Sequence, residues 1–286
     1  MSRYIPEQYE PEVLKRIQDL EKEMLADFSR ICKENNLTWF AIAGTLLGAV
    51  RHKDMIPWDD DLDIGIMRKD YIKLKKIVKA KYSDKYMVLD AEENDHYPLM
   101  TGQFTLKGTR FVTEQFRDIP CDFGIYLDLF PFDTLHPDKK IREKHMKHAW
   151  AIGKIRILRE IGAPYVAGKG IKRDLILAIC RIGHVGLSVL RLNKKKLYRA
   201  CKYWNRIDEN TDSGIYGFSC DTRPFDNMIT KEELYPIVEA PFGEGTILIP
   251  HEYDTLLRSQ YGDYMQLPPM DARKNHKPVI LKFPEE

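Results

Sequence analysis

The stretch WDDDLDIGI (58–66) places four aspartates in five positions and then turns apolar. Neighbouring carboxylates repel one another, and an uncompensated charge entering an apolar strand is costly to desolvate. From Asp61 the pattern alternates: Asp61, Asp63 and Gly65 project one way, Leu62, Ile64 and Ile66 the other. This period of two predicts a strand with a core face and a carboxylate face. Side chains two apart on a strand share a face, with Cα atoms about 6.5 Å apart. Asp61 and Asp63 are therefore placed to grip one divalent cation, or two neighbouring ones, with hard oxygen ligands.

A third carboxylate from another strand would complete such a site. The candidate is Asp128 in GIYLDLF (124–130), where Ile125, Leu127 and Leu129 form the opposite, apolar face. Asp59 stands beside the pair, and Asp60 reads as decoration of the turn after Pro57. A calcium loop is a rival, since Asp59, Asp61 and Asp63 match its first three ligands and Asp70 the twelfth. That loop needs glycine where Ile64 stands, and its last ligand is normally glutamate.

Upstream, residues 12–35 carry apolar residues at three- and four-residue steps and predict an amphipathic helix, stopped at Asn35-Asn36. LTWFAIAG (37–44) predicts a short buried strand. Thr45 is then expected to cap a short helix through Leu46, Leu47, Ala49 and Val50. The turn at Gly44-Thr45 suits a phosphate, because glycine lets backbone approach an anion and a helix N-terminus offers free N–H groups. Arg51, His52 and Lys53 follow as candidate phosphate cations.

Downstream, 68–82 predicts a helix with Tyr71, Leu74, Ile77 and Val78 inward. Residues 98–133 are strand-rich, 139–210 helical and basic, 246–249 a strand and 251–260 a helix. Arg273, His276 and Lys277 read as an exposed basic tail, with contact to a nucleotide phosphate as the alternative. Tyr261-Gly262-Asp263 reads as capping or packing.

The chain has 286 residues, 43% hydrophobic and 31% charged, an ordinary globular balance. Its net charge of +2 hides an asymmetry: 139–206 holds 19 Lys+Arg against 3 Asp+Glu, leaving 26 basic and 40 acidic residues elsewhere. Such a segment suits phosphates, an anionic membrane surface or an acidic polymer, with a solvated helical face as the alternative. The five cysteines show no zinc spacing or disulfide framework, and a cytoplasmic location is expected. The opening MSRYIPEQYEPEVLKR lacks a signal-peptide core. The apolar run 174–192 is interrupted by Arg181, His184 and Arg191, so no membrane span is expected, while peripheral association at the inner face of the membrane stays open. No nucleic-acid-binding motif is present, and none is expected as partner.

The glycine turn, the DxD strand and the later isolated Asp strand resemble the nucleotidyltransferase fold of the polymerase-β type. More narrowly, AGTLLGAVRHKDMIPWDDDLDIGIMRKDY (43–71), YLDLFPFD (126–133) and PFGEGTILIPHEYDTLLRSQYGDYMQLPP (241–269) resemble the LicD family, which includes bacterial phosphocholine transferases. The likeness runs from about residue 12 to residue 280. It implies an α+β fold, a mixed sheet flanked by helices, in one domain over 1–286. That domain would comprise a core at 12–138, a basic helical insertion at 139–210 and a C-terminal part, 211–286, packing back on the core.

The resemblance further implies a metal-dependent phosphotransferase, using Mg2+ or Mn2+. It would move a phospho-alcohol, first of all phosphocholine, from a CDP-alcohol to a hydroxyl of a cell-surface glycan or its lipid-linked precursor, releasing CMP. Asp61, Asp63, Asp128 and Asp59 would hold metal, with the first three catalytic. Gly44, Thr45, Arg51 and His52 would meet substrate phosphate. Ribitol- or glycerol-phosphate transfer, nucleotide transfer, and a metal-binding protein without turnover are the alternatives.

Overall fold

In the computed structural model, which describes residues 9–164, 166, 170–225, 227–273 and 275–285, the aspartate stretch feeds a seven-stranded mixed sheet. The first eight residues of the N-terminal reading, and positions 165 and 167–169 of the basic segment, lie outside that range. The first elements are helix α1 (Pro11–Glu34), strand β1 (Trp39–Ala41), helix α2 (Ala43–Arg51), strand β2 (Asp63–Met67) and helix α3 (Arg68–Lys81). Strands β3 (Tyr86–Leu89), β4 (Gly102–Leu106), β5 (Arg110–Val112) and β6 (Tyr126–Thr134) follow. The main path of the sheet runs β1-β2-β6-β4-β3. Strands β2 and β6 are parallel; the other neighbours on this path are antiparallel.

The alternation seen in the sequence divides the sheet into two faces. Ile64, Ile66, Leu127 and Leu129 are fully buried on one face. Helix α1 covers it, with Phe28 set edge-on to Trp39 and Phe104 at ring separations of 5.4 and 5.5 Å. Helix α3 lies there too, and Gly102 leaves the room that the Tyr71 ring occupies. The other face carries Asp63 and Asp128.

Helices α4 (Lys139–Glu160), α5 (Ile171–Val189) and α6 (Lys194–Arg206) form the basic middle. Asp138 and Asn193 cap α4 and α6 by accepting from Ile141 N and Lys196 N. Arg156 of α4 is buried and donates to the carbonyls of Tyr97 and Pro98, pinning the approach to β4. Helix α6 seats on α4, with the Cys201 thiol donating to Ala149 O.

Strands β7 (Ile215–Gly217) and β8 (Met228–Thr230) extend the sheet, β7 pairing the end of β6. Helix α7 (Lys231–Leu234) is closed by a Thr230/Glu233 capping box. Strands β9 (Val238–Phe242) and β10 (Gly245–Ile249) form a hairpin, and helix α8 (Tyr253–Tyr261) follows. Strand β11 (Ile280–Lys282) returns to pair with β5.

Two local expectations are corrected. Strand β2 begins at Asp63, not Asp61; the extended lead-in is tied to β6 where Asp128 N donates to Leu62 O. Helix α2 begins at Ala43 with Ile42 as its cap residue, so Thr45 lies inside the first turn and is not the cap.

Arg68, at the start of α3, clamps the end of β6 through a two-pronged pair: Nε to Asp133 Oδ1 at 2.8 Å and Nη2 to Oδ2 at 2.7 Å. Asp133 is almost wholly buried, so Arg68→Met leaves a buried carboxylate without its partner. Urea unfolding is expected to show a loss of about 3–5 kcal/mol, largely restored by adding Asp133→Leu.

Candidate active site

The sheet register assembles the site. Asp63 of β2 is the direct partner of Asp128 of β6, and Gln103 of β4 is the partner of Asp128 on its other side. These three positions therefore share one face. Asp61 reaches the same place from the lead-in to β2. Carboxylate oxygens of Asp61, Asp63 and Asp128 all lie within 4.8 Å of one another.

The first turn of α2 supports them. The Thr45 hydroxyl accepts from Asp63 N at 2.7 Å and is buried in doing so. A Cβ on Gly44 would come within 3.0 Å of Asp59 Oδ2 and 3.8 Å of Asp63 Oδ2, so glycine lets the carboxylates crowd against the helix start. Gly44 and Thr45 thus act on the acidic cluster itself.

The electrostatics show a set of charges short of a partner. Burial, followed by neighbouring carboxylates, pushes Asp63 and Asp59 well above the carboxylate range. Burial also raises Asp61, opposed by His276. Asp128 is pushed up to about 7, by burial first and then by the charge on Asp61, with a hydrogen bond from Gln103 opposing. Burial raises Glu21 of α1 strongly as well, and the charges of Asp61, Asp60, Asp59 and Asp128 add to it. Asp128 Oδ1 and Glu21 Oε2 are buried with no hydrogen-bond partner among the described residues. An all-oxygen set, mutually repelling and with an orphaned buried oxygen, fits a hard divalent cation such as Mg2+ or Mn2+.

Asp60 corrects the sequence reading. It is wholly buried, not a turn decoration. Its carboxylate accepts from the Tyr9 hydroxyl at 2.5 Å and from His276 N at 2.8 and 3.0 Å. His276 is exposed, as the sequence reading expected, yet its Nδ1 sits 3.3 Å from both Asp60 Oδ1 and Asp61 Oδ2. The Asp61 charge is the first cause that raises this imidazole well above its usual range. Asp59, Asp60, Asp61 and His276 form a second set of groups close enough to share an ion.

Arg51 and His52 stand apart from the three carboxylates. Arg51 Nη1 donates to Tyr264 O at 2.8 Å, and its Nε to His52 Nε2 at 3.0 Å. Arg273 stacks 4.3 Å over the Trp58 ring, whose edge faces His52. Burial lowers His52, with the Arg51 and Arg273 charges adding to the effect. Among the described contacts, none joins Arg51 or His52 to Asp61, Asp63 or Asp128.

Next to the carboxylates on the same sheet face lies a cavity of about 500 Å³. Phe130 and Phe132 follow Asp128 at steps of two along β6, and Phe40 of β1 faces them across Gly65. A Cβ on Gly65 would come 2.6 Å from the Phe40 ring, so only glycine leaves that ring its place. Phe218 closes edge-on to Phe130, while Asp221, Arg223, Asn227 and Tyr261 supply polar groups.

The molecule is thus a mixed α+β protein whose sheet gathers carboxylates beside an aromatic cavity. Residues 36–155 match the family described as LicD/FKTN/FKRP, nucleotidyltransferase domain, and the chain carries a LicD-family domain. Every expected site residue, from Gly44 to Asp128, falls in that span. Over 270 residues, 87% of this chain and 90% of the other, it is 24% identical to the Haemophilus influenzae protein named lipopolysaccharide cholinephosphotransferase LicD. It is also 48% identical over 56 residues to an uncharacterized Rickettsia prowazekii protein, covering 20% of this chain and 21% of that one. A Rickettsia typhi protein, also uncharacterized, is 32% identical over 117 residues, 38% of this chain and 36% of its own.

Sequence reasoning missed Glu21, Gln103, Asp60 and His276 as members of the acidic site. Glu21 carried one signal: a charge among Ile17, Met24 and Leu25 on the buried face of α1. Asp60→Ala strands the Tyr9 hydroxyl and His276 N. It is expected to cost about 2–3 kcal/mol in urea unfolding and to speed protease cleavage after residue 265, relative to wild type.

Proposed function

We propose that this protein is a metal-dependent phosphotransferase that moves a phospho-alcohol, phosphocholine in the first instance, from a CDP-alcohol to a glycan hydroxyl. The observation that carries the reading is the meeting of Asp63 from β2, Asp61 from its lead-in and Asp128 from the parallel strand β6, with a buried Asp128 oxygen unpartnered among the described residues. The name of the Haemophilus relative, a lipopolysaccharide cholinephosphotransferase, supports choline as the alcohol and lipopolysaccharide as the acceptor class. A nucleotidyltransferase-like core over 12–138 fits the parallel β2–β6 pair. A cytoplasmic location with a lipid-linked acceptor at the membrane's inner face fits a nucleotide-activated donor.

Asp61, Asp63 and Asp128 would hold Mg2+ or Mn2+, with Asp59 adjacent, and the ion would neutralise charge on the transferring phosphate. In the transfer itself, the acceptor oxygen forms a bond to the phosphorus that bears the alcohol. The bond from that phosphorus to the bridging oxygen breaks, and the electron pair leaves with CMP. The acceptor proton passes to a carboxylate, for which Asp128 is placed by its position on the sheet face. Thr45 holds the backbone under Asp63, and Gly44 keeps the cluster close to α2.

The aromatic cavity supports choline among CDP-alcohols. A quaternary ammonium is attracted by aromatic faces and by a nearby carboxylate; Phe40, Phe130, Phe132 and Phe218 with Asp221 offer both. Tyr261, beside the cavity, is raised by burial and then by the charges of Asp63 and Asp59, as befits a ring between the two regions.

Incubating the protein with CDP-choline, CDP-ribitol or CDP-glycerol, Mn2+ and lipopolysaccharide is expected to release CMP, fastest with CDP-choline. Pyrophosphate as the product would instead mean nucleotide transfer. Asp61→Asn and Asp63→Asn are each expected to lower kcat about 1,000-fold or more. Both should also abolish the rise in Tm that Mn2+ gives the wild type, a readout independent of turnover. Phe130→Leu is expected to raise KM for CDP-choline about tenfold while leaving kcat/KM for CDP-glycerol within about threefold.

A further inference from the structure

Helix α5 (Ile171–Val189) has no buried residue along its 19 positions. Its apolar residues are nonetheless regularly placed. Ile171, Leu175, Ala178, Ile182, Val185 and Val189 fall at alternating steps of four and three, which sets them in one stripe on a helix. Ile171, Ile182 and Val189 are 87%, 74% and 75% exposed. The opposite side faces α4, where His184 Nδ1 bonds Leu158 O and Gly183 lies against the Leu158 side chain. The stripe therefore points away from the body of the protein. Single exposed apolar residues are ordinary, but a continuous stripe along a whole helix marks a surface awaiting a partner.

The charges around the stripe say which partner. Residues 171–199 contain eight Lys+Arg and one acidic residue, Asp174. Lys172, Arg181, Arg191, Lys196 and Arg199 are all exposed. A helix with an apolar face and a basic surround, lying parallel to an interface, is the form that inserts among anionic lipid headgroups. The α5 helix does not span: no single helix among the described residues is long and apolar enough to cross a membrane. Together α5 and α6, bent by 110°, match a broken or re-entrant span by length and composition only, whereas α6 buries Cys201 and Asn205 against the protein.

We propose that the exposed apolar face of α5, with the basic residues beside it, docks the protein on an anionic lipid surface. The inference stands on this helix and its charges and does not depend on the phosphotransferase reading. Lys194 and Lys195, paired with Glu160 and Asp95, fix α6 to the body, so the basic end of the surface is held in a set orientation.

Vesicle sedimentation at low salt tests this with the full-length chain. Wild type is expected to bind phosphatidylglycerol-containing vesicles at least about tenfold more tightly than pure phosphatidylcholine vesicles. Ile182→Asp/Val189→Asp should lose about tenfold or more in affinity, with Tm and secondary structure unchanged. Lys172→Gln/Arg181→Gln/Arg191→Gln should lose about as much and, unlike the first variant, should also lose most of the salt dependence. Equal binding by wild type and both variants would overturn the proposal, as would no binding to anionic vesicles at all. Light scattering showing that wild type self-associates through this face, and that Ile182→Asp/Val189→Asp makes it monomeric without altering vesicle binding, would assign the stripe to a second copy instead.

Discussion

The structure turns on the parallel pairing of β2 with β6 in a register that sets Asp63 directly beside Asp128. A slip of β2 by one residue against β6 would send Asp63 to the apolar face and bring Ile64 into the site beside Asp128. The back of the sheet enforces the register: Ile64, Ile66, Leu127 and Leu129 are all sealed under α1 and α3. The dry face therefore specifies the geometry of the charged one. The cost of gathering like charges is carried by packing on the far side of the same strands.

Around that register, the remaining parts each answer one problem of the acidic cluster. Gly44 removes the side chain that would hold the carboxylates off, and Thr45 ties the strand's first N–H. Asp60 has a different task from its neighbours. It accepts from Tyr9 and the backbone of His276, fastening the chain's two ends beside the cluster. His276 then places an ionisable imidazole against Asp61. The same sheet face continues from charge to aromatic rings within two residues on β6, from Asp128 to Phe130. One strand thus borders two chemically different compartments.

The sequence made legible what is local or periodic. Alternation over 61–66 gave the faces of β2, and the isolated charge in GIYLDLF picked out Asp128. The three- and four-residue apolar spacing set α1 and α3 nearly to their ends. It did not disclose partners joined across long separations. His276 lies 216 residues from Asp60, and nothing in RKNHKP marks a residue bound for the cluster. Strands β3, β7, β8, β9 and β11 escaped because each is short and defined by its pairing partner more than by its own composition. Thr45 was read as a helix cap because Gly-Thr before apolar residues has that signature; tertiary pairing with Asp63 N won instead. The cavity was illegible because its rings come from β1, β6 and the 218–230 region, and most aromatics in any chain are core.

The most direct measurement is the anomalous scattering of Mn2+ in crystals soaked with the ion. This account predicts a peak within about 2.2 Å of carboxylate oxygens from Asp61, Asp63 and Asp128 together, lost in crystals of Asp63→Asn. Strong manganese peaks found only away from those three side chains, or a cluster left without metal at saturating concentration, would contradict it.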